Sequence, residues 1–475
     1  MRTDWPSVVL LTLGIVALAI YPRSAPSQPA ASQVSPINPP VADCNANKFT
    51  GPESGFLSAA PPCAPNFASP FVDSKGVSHS FDIDGLQHNF DFYSWETFVA
   101  LNWPNGGGTT IGKGPRPGGD AQSAWEDVKN FRQLPDVMLE DGAKPSWGSR
   151  IVPVECQSMD GPGKMVIHVI EEAFDQPFKS GPLIDQNGNY ALFDILINKP
   201  MFDYIVENGL YSRRGQEQFV AGRDGGPSDV VSTSPGAPES PPARIINFPK
   251  GSQPPKDGQG TMGAVMLKIS WKVLGNGDDP TKFHTVNGLV FTRGGEGTPG
   301  RCVPRTLGMI GFHVAHKTAS DPQWLWTTFE HVANAPEDAD VATNNIDPNA
   351  HFNFYNPRCL PSACPANALP PQPWFQQVEP FPNGFRSQVT RAFQIMDGAK
   401  ILNEQFHNLD GIKGSVWQNY MLVSTQWPTD AANKINPTGV PAPRSVSIRM
   451  AGRFKPADQI LRFGPYRRHP LHGDD

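Results

Sequence analysis

Residues 263–274 read GAVMLKISWKVL, and the alternation within them decides the fold class. Val265, Leu267, Ile269 and Trp271 alternate with Met266, Lys268, Ser270 and Lys272, the period-two pattern of a strand with one buried face. Downstream, FHTVNGLVF (283–291), TLGMIGFHVAHKT (306–318) and QWLWTTFEHV (323–332) are rich in β-branched and aromatic residues. They read as further strands, so residues 262–332 are expected to form an antiparallel sheet.

Working outward, KMVIHVIEEAF (164–174) and YALFDILINKP (190–200) flank the turn signal DQNGN and read as two strands, paired as a hairpin with a long connection. PMFDYIVENGLY (200–211) has proline in a first helical turn and Gly209 as a stop, the pattern of a short helix. In FDFYSWETFVALNWP (90–104), Phe90, Tyr93 or Ser94, Thr97 and Leu101 fall near helical spacing before Pro104, so a helix is expected over about 92–102. Beyond the sheet, SQVTRAFQIMDGAKILNEQFHNL (387–409) and SVWQNYMLVSTQWP (415–428) read as one or two helices. The sum is an α+β domain over residues 81–440, a mainly antiparallel sheet with peripheral helices and long Pro/Gly-rich loops. The loop-rich stretch 221–261 would be a mobile insertion or a cover over a site.

The composition agrees. The 475 residues include 45 Gly and 51 Pro, too many for a long helical bundle, while 38% hydrophobic content supplies a large core. A net charge of -6 gives no general surface for nucleic acid. Residues 441–475 differ, carrying seven Lys or Arg against three Asp, and read as a basic tail. At the other end, Val8 to Ile20 is an apolar run behind Arg2, short for a spanning helix and suited to a signal peptide over 1–24. It would anchor the chain only if uncleaved. A Pro/Ala/Ser-rich arm follows over 25–80. Six cysteines, Cys44, Cys63, Cys156, Cys302, Cys359 and Cys364, fit a periplasmic or secreted chain with disulfides, their pairing left open by the sequence.

No G-x-x-x-x-G-K-[ST], G-x-S-x-G, H-E-x-x-H or C-x-x-C-H occurs, which argues against P-loop hydrolysis, α/β-hydrolase chemistry, zincin proteolysis and covalent c-type haem. The residues left to carry chemistry are His168, His313, His316, Glu330 and His331, whose side chains suit a single transition metal. On a strand, His313 and His316 point to opposite faces, so one at most serves a given site. A second set, Trp95, Trp103, Trp271, Trp324, Trp326, Phe329, Trp417 and Trp427, suggests a stacking platform for a surface glycan.

FDFYSWETFVALNWP, GLYSRRGQ (209–216), GAVMLKISWKVL, LGMIGFHVAHKT (307–318), PQWLWTTFEHVANAP (322–336) and SVWQNYMLVSTQWP together resemble an uncharacterised family of exported bacterial proteins. The resemblance spans roughly residues 85–430. Some members look like cytochrome c family proteins, because a C-x-x-C-H motif follows the segment equivalent to VSTQWP. The resemblance implies a periplasmic or secreted protein with an electron-transfer association. Together with the histidine set it makes an exported redox protein, metal-dependent or associated with a cytochrome or other periplasmic electron carrier, the leading expectation. This chain departs from it after Trp427, where no cysteine remains and the basic tail stands instead. The alternative is a non-catalytic periplasmic or cell-surface protein that binds a glycan or protein partner.

Overall fold

The computed structural model describes residues 71–72, 78–79, 83–103, 122–168, 182–221, 246–252, 261–294, 299–319, 323–371, 384–409 and 411–427. All of them fall in one compact unit. The apolar N-terminal run, most of the arm with Cys44 and Cys63, residues 222–245 and the basic tail lie outside the described residues.

A two-residue ladder, β1 (Phe71–Val72) with β2 (Ser78–His79), precedes the main helix α1 (Ile83–Leu101). The main sheet has eight strands: β3 (Phe131–Gln133), β4 (Lys164–His168), β5 (Leu192–Asn198), β6 (Val265–Val273), β7 (Thr285–Thr292), β8 (Arg301–Lys317), β9 (Trp324–His331) and β10 (Tyr420–Gln426). Its order is β10-β9-β8-β6-β5-β3, with β7 on the first half of β8 and β4 on β7. The sheet is mixed, since β4 runs parallel to β7 and every other neighbouring pair is antiparallel. It curls on itself. The Gln133 amide on β3 donates to the Val166 carbonyl on β4 at 2.7 Å and to Asp194 Oδ2 on β5 at 2.8 Å.

The inner face of the curl holds the core. Leu267, Ile269 and Trp271 of β6, Phe312 and Val314 of β8, Phe329 of β9 and Leu422 of β10 pack there with Phe92, Trp95 and Phe98 of α1. Trp95 stacks on Phe406 of α6 (Asp397–His407) at 4.7 Å, and Phe98 stacks on Phe329 at 4.2 Å. α1 is thus buried between sheet and helix and is not peripheral. This also explains why it begins at Ile83, well before the expected 92. A helix buried on nearly all sides shows no amphipathic stripe, and its polar residues Gln87, Asp91 and Ser94 are buried as well.

Local chemistry accounts for α3 (Lys199–Glu207): Asn198 caps it by accepting from the Met201 amide, Pro200 sits in the first turn, and Gly209 follows at φ +67°. The shorter helices are α2 (Val154–Gln157), α4 (Arg213–Val220) and α5 (Asp338–Ala342).

Three expectations need correction. β4 and β5 do not form a hairpin: β4 pairs with β7, and β5 with β3 and β6. The segment 415–428 is a short 3-10 turn (Val416–Asn419) followed by the edge strand β10, because its residues Tyr420 and Leu422 meet His331 and Phe329 across the ladder. Finally, β6 does not keep one open face, since Ser270 and Lys272 are buried by loops packed over that end.

Candidate functional site

β8 carries a bulge. Ser270 of β6 opposes Gly311, whereas Trp271 opposes Met309, leaving Ile310 as an extra residue. Before the bulge Leu307 and Met309 face the inner core; after it Phe312, Val314 and His316 do. His313 is thereby turned outward.

On the outer face the register lines up Ile195, Lys268, His313, Thr328 and Ser424 across five strands. The next row holds Met266, Ala315, Trp326 and Gln426. Two smaller hydrophobic clusters cover the ends of this face. One unites Ile197, Met201, Phe202, Phe219 and Phe248, with Met266 and Trp324 at its margin; the other unites Phe193, Phe283, Ile310 and Phe354. Between them Ile195, Lys268, His313, Thr328, Ser424 and Trp326 are only half-buried. Lys268 lies over the Phe193 ring at 4.9 Å, and His313 Nδ1 is 3.0 Å from Thr328 Oγ1. Burial, then the Lys268 ammonium, pushes the His313 pKa down to about 4, so its ring is neutral in ordinary solution.

The other candidate metal ligands are scattered. His316 faces inward with Nδ1 2.5 Å from the Tyr93 hydroxyl, and burial lowers its pKa to about 4. His331 has both ring nitrogens occupied: Nε2 donates to the Lys282 carbonyl at 3.0 Å and Nδ1 accepts from the Ala333 amide at 3.1 Å. With its lone pair taken, and burial lowering its pKa to about 4, it has no nitrogen free for a metal. Glu330 points outward in an ion pair with Arg391 at 2.8 Å. The backbone of His168 ends β4 beside Phe291, and its side chain lies outside the described residues. Among the described residues no three His, Cys, Asp or Glu side chains gather at metal-binding spacing.

The stacking platform shrinks for a simple reason: aromatics on the inner face of a curled sheet form its core. Trp95, Trp103, Trp271, Phe329, Trp417 and Trp427 are all buried. Trp324 and Trp326 remain half-buried on the outer face; Trp324 packs against Phe248 and Lys317, while Trp326 makes no ring contact among the described residues.

Two polar clusters lie outside the set the sequence pointed to. In the first, His284 Nε2 lies 2.6 Å from Glu126 Oε1 beneath the Trp417 ring, with Nδ1 buried and without a hydrogen-bond partner among the described residues. In the second, Lys272 is 1% exposed and donates to Asp278 Oδ1 at 2.5 Å and to Asn353 Oδ1 at 3.1 Å. Asp278 also accepts from Asn187 and the Gly275 amide, and its Oδ1 is 3.3 Å from Nε2 of the exposed His351. Burial alone would raise its pKa, but the Lys272 bond and these other donors hold it below its ordinary value. The only sequence hint was the acidic turn GNGDDP (275–280) just after β6, because a buried lysine on a strand needs a nearby counter-charge.

No family model, curated protein or solved structure matches the chain. Two disulfides, Cys156–Cys302 and Cys359–Cys364, mark an oxidising, extracytoplasmic environment. Among the described residues no helix is long and apolar enough to cross a membrane.

Proposed function

We propose that this is an exported, non-catalytic binding protein, periplasmic or at the cell surface, that holds a glycan across the outer face of its sheet. The observation that carries the reading is the partly exposed row Ile195–Lys268–His313–Thr328 beside Trp326, between two covered ends. Sugars combine apolar C–H faces with hydroxyls, and this strip offers both partners. The Trp326 ring supplies a stacking surface. His313 keeps Nε2 for a ligand while its Nδ1 is engaged by the Thr328 hydroxyl, and Lys268 supplies a cation. A metal-dependent redox role has less support, because His316, His331 and Glu330 are each engaged by a local partner.

The test is titration of the purified protein with a panel of neutral and uronate-bearing oligosaccharides, read by calorimetry and tryptophan fluorescence. The expected result is binding that Trp326→Ala and His313→Ala each weaken about tenfold or more, roughly 1.4 kcal/mol, with unchanged thermal stability. No binding at millimolar concentrations, or binding indifferent to both substitutions, overturns the proposal.

A further inference from the structure

Lys272 gathers four stretches of chain. Asp278 reaches it from the turn after β6, Asn353 from the segment 351–356, and Asp185 lies within its electrostatic reach from the turn 185–189. The fourth stretch, 384–391, is tied in through backbone, Ser387 N donating to Ile184 O and Val389 N to Phe354 O, while Gln186 N donates to Asn353 O and joins the turn to segment 351–356. These same segments carry Leu183, Phe354 and Val389, which cover Phe193 and Ile310 at one end of the outer face.

The charges in this cluster do not balance. One buried ammonium faces two buried carboxylates, and Asp185 is 1% exposed. Its Oδ1 accepts from the Asn189 amide at 2.8 Å, while Oδ2 has no hydrogen-bond partner among the described residues. The surrounding charged groups do not relieve it. His351 and Lys272 both engage Asp278, the Arg386 guanidinium is spent on the Gln186 and Phe385 carbonyls, and the His331 ring is held by backbone. Lys282 acts on His331 rather than on Asp185.

We propose that this cluster is a proton-operated latch: one proton taken up by the buried Asp185 carboxyl tightens the loops over that end of the outer face, and its release loosens them. A proton on Asp185 neutralises the surplus negative charge and removes the cost of burying an unpaired anionic oxygen. Burial first, opposed by Lys272, places this titration at about 6. The sign follows. The closed loops bind the proton more tightly than open ones, so closure is favoured at acid pH and weakens as pH rises through 6. Control of glycan access rests on the function proposed above; the latch itself does not.

Hydrogen exchange of the intact, oxidised protein tests it, followed by mass spectrometry over segments 183–190 and 351–356 and corrected for intrinsic rates. With an open-state carboxyl near its ordinary value, the opening equilibrium should rise about tenfold from about pH 5 to about pH 7.5. Asp185→Asn should flatten that dependence. Asp278→Asn, which leaves Lys272 to Asp185 alone, should move the transition to lower pH. A flat wild-type profile, or an unchanged slope in Asp185→Asn, overturns the latch, and the wild-type profile decides even if a variant does not fold. pH-dependent loops without oligosaccharide binding keep the latch and remove the glycan reading; binding with pH-independent loops does the reverse.

Discussion

Removing the Cys156–Cys302 disulfide should cost far more stability than removing Cys359–Cys364. The first bond spans 146 residues and the second 5. If a crosslink acts by restricting the unfolded chain, loops of those lengths correspond to about 5 and about 2 kcal/mol. The location sharpens the contrast. Cys156 in α2 is fully buried against Val166 of β4 and Leu289 of β7, and Cys302 opens β8 opposite Phe291. The bond therefore fastens the parallel β4–β7 pair and the first half of β8, contacts between residues far apart in sequence whose closure entropy is large. Cys359→Ala/Cys364→Ala cuts only a surface loop between Asn356 and Asn367, which its own turn hydrogen bonds also hold. Urea unfolding of the wild type and the two double variants, compared at constant m, measures both costs. The reasoning fails if the Cys156/Cys302 variant loses less than the Cys359/Cys364 variant, or less than about 2 kcal/mol.

Lys272→Met should destabilise the fold by about 3–5 kcal/mol, because two buried carboxylates lose their shared cation. Adding Asp185→Asn and Asp278→Asn should recover much of that loss in the same urea assay; no recovery would mean Lys272 matters through packing alone. Between about pH 4 and pH 6.5 the buried acids and buried histidines should nearly cancel, and above about pH 6.5 stability should fall as pH rises. Asp91, Asp136 and Asp185 titrate at about 6 and Glu96 at about 8, all raised by burial, so their contribution is full at acid pH and is lost as pH rises through those values. His313, His316 and His331 are lowered to about 4, so theirs is full above about 6.5 and is lost as pH falls toward 4. Thermal melts from about pH 4 to pH 9 give the curve, and a maximum at or above about pH 8 would contradict it. Asp91→Asn, which keeps an acceptor for Gln87, should remove that group's share of the loss between about pH 4 and pH 6 and so raise stability at about pH 8 by up to about 3 kcal/mol. Lower stability of that variant at about pH 8 would show that the Asp91 charge is stabilising.

The strands of the central sheet were legible in the sequence because period-two alternation is a local property of the pleat. GAVMLKISWKVL, FHTVNGLVF, TLGMIGFHVAHKT and QWLWTTFEHV all appear as strands, as does the helix begun by Pro200 and stopped by Gly209. Pairing was less legible. The Asn-Gly turn at 187–188 returns the chain only to Ile184 opposite Tyr190, not to 164–174, and strand partners far apart in sequence leave no mark on either segment. The edge strand β10 is hidden for the same reason: YMLVSTQ follows a helical turn, and only its ladder with β9 makes it extended.

By itself the sequence determined an α+β fold, its sheet segments, and cysteines suited to an oxidising compartment, all properties of local pattern and composition. Tertiary structure decided which side chains meet water. One extra residue at Ile310 reverses the alternation of β8, so His316 goes inward to Tyr93 and His313 outward beside Lys268 and Thr328. Loops distant in sequence bury Lys272 between two aspartates while leaving Lys268, four residues earlier on the same face, half-exposed. Both outcomes depend on what packs across a strand, and a strand's own residues record only that they alternate.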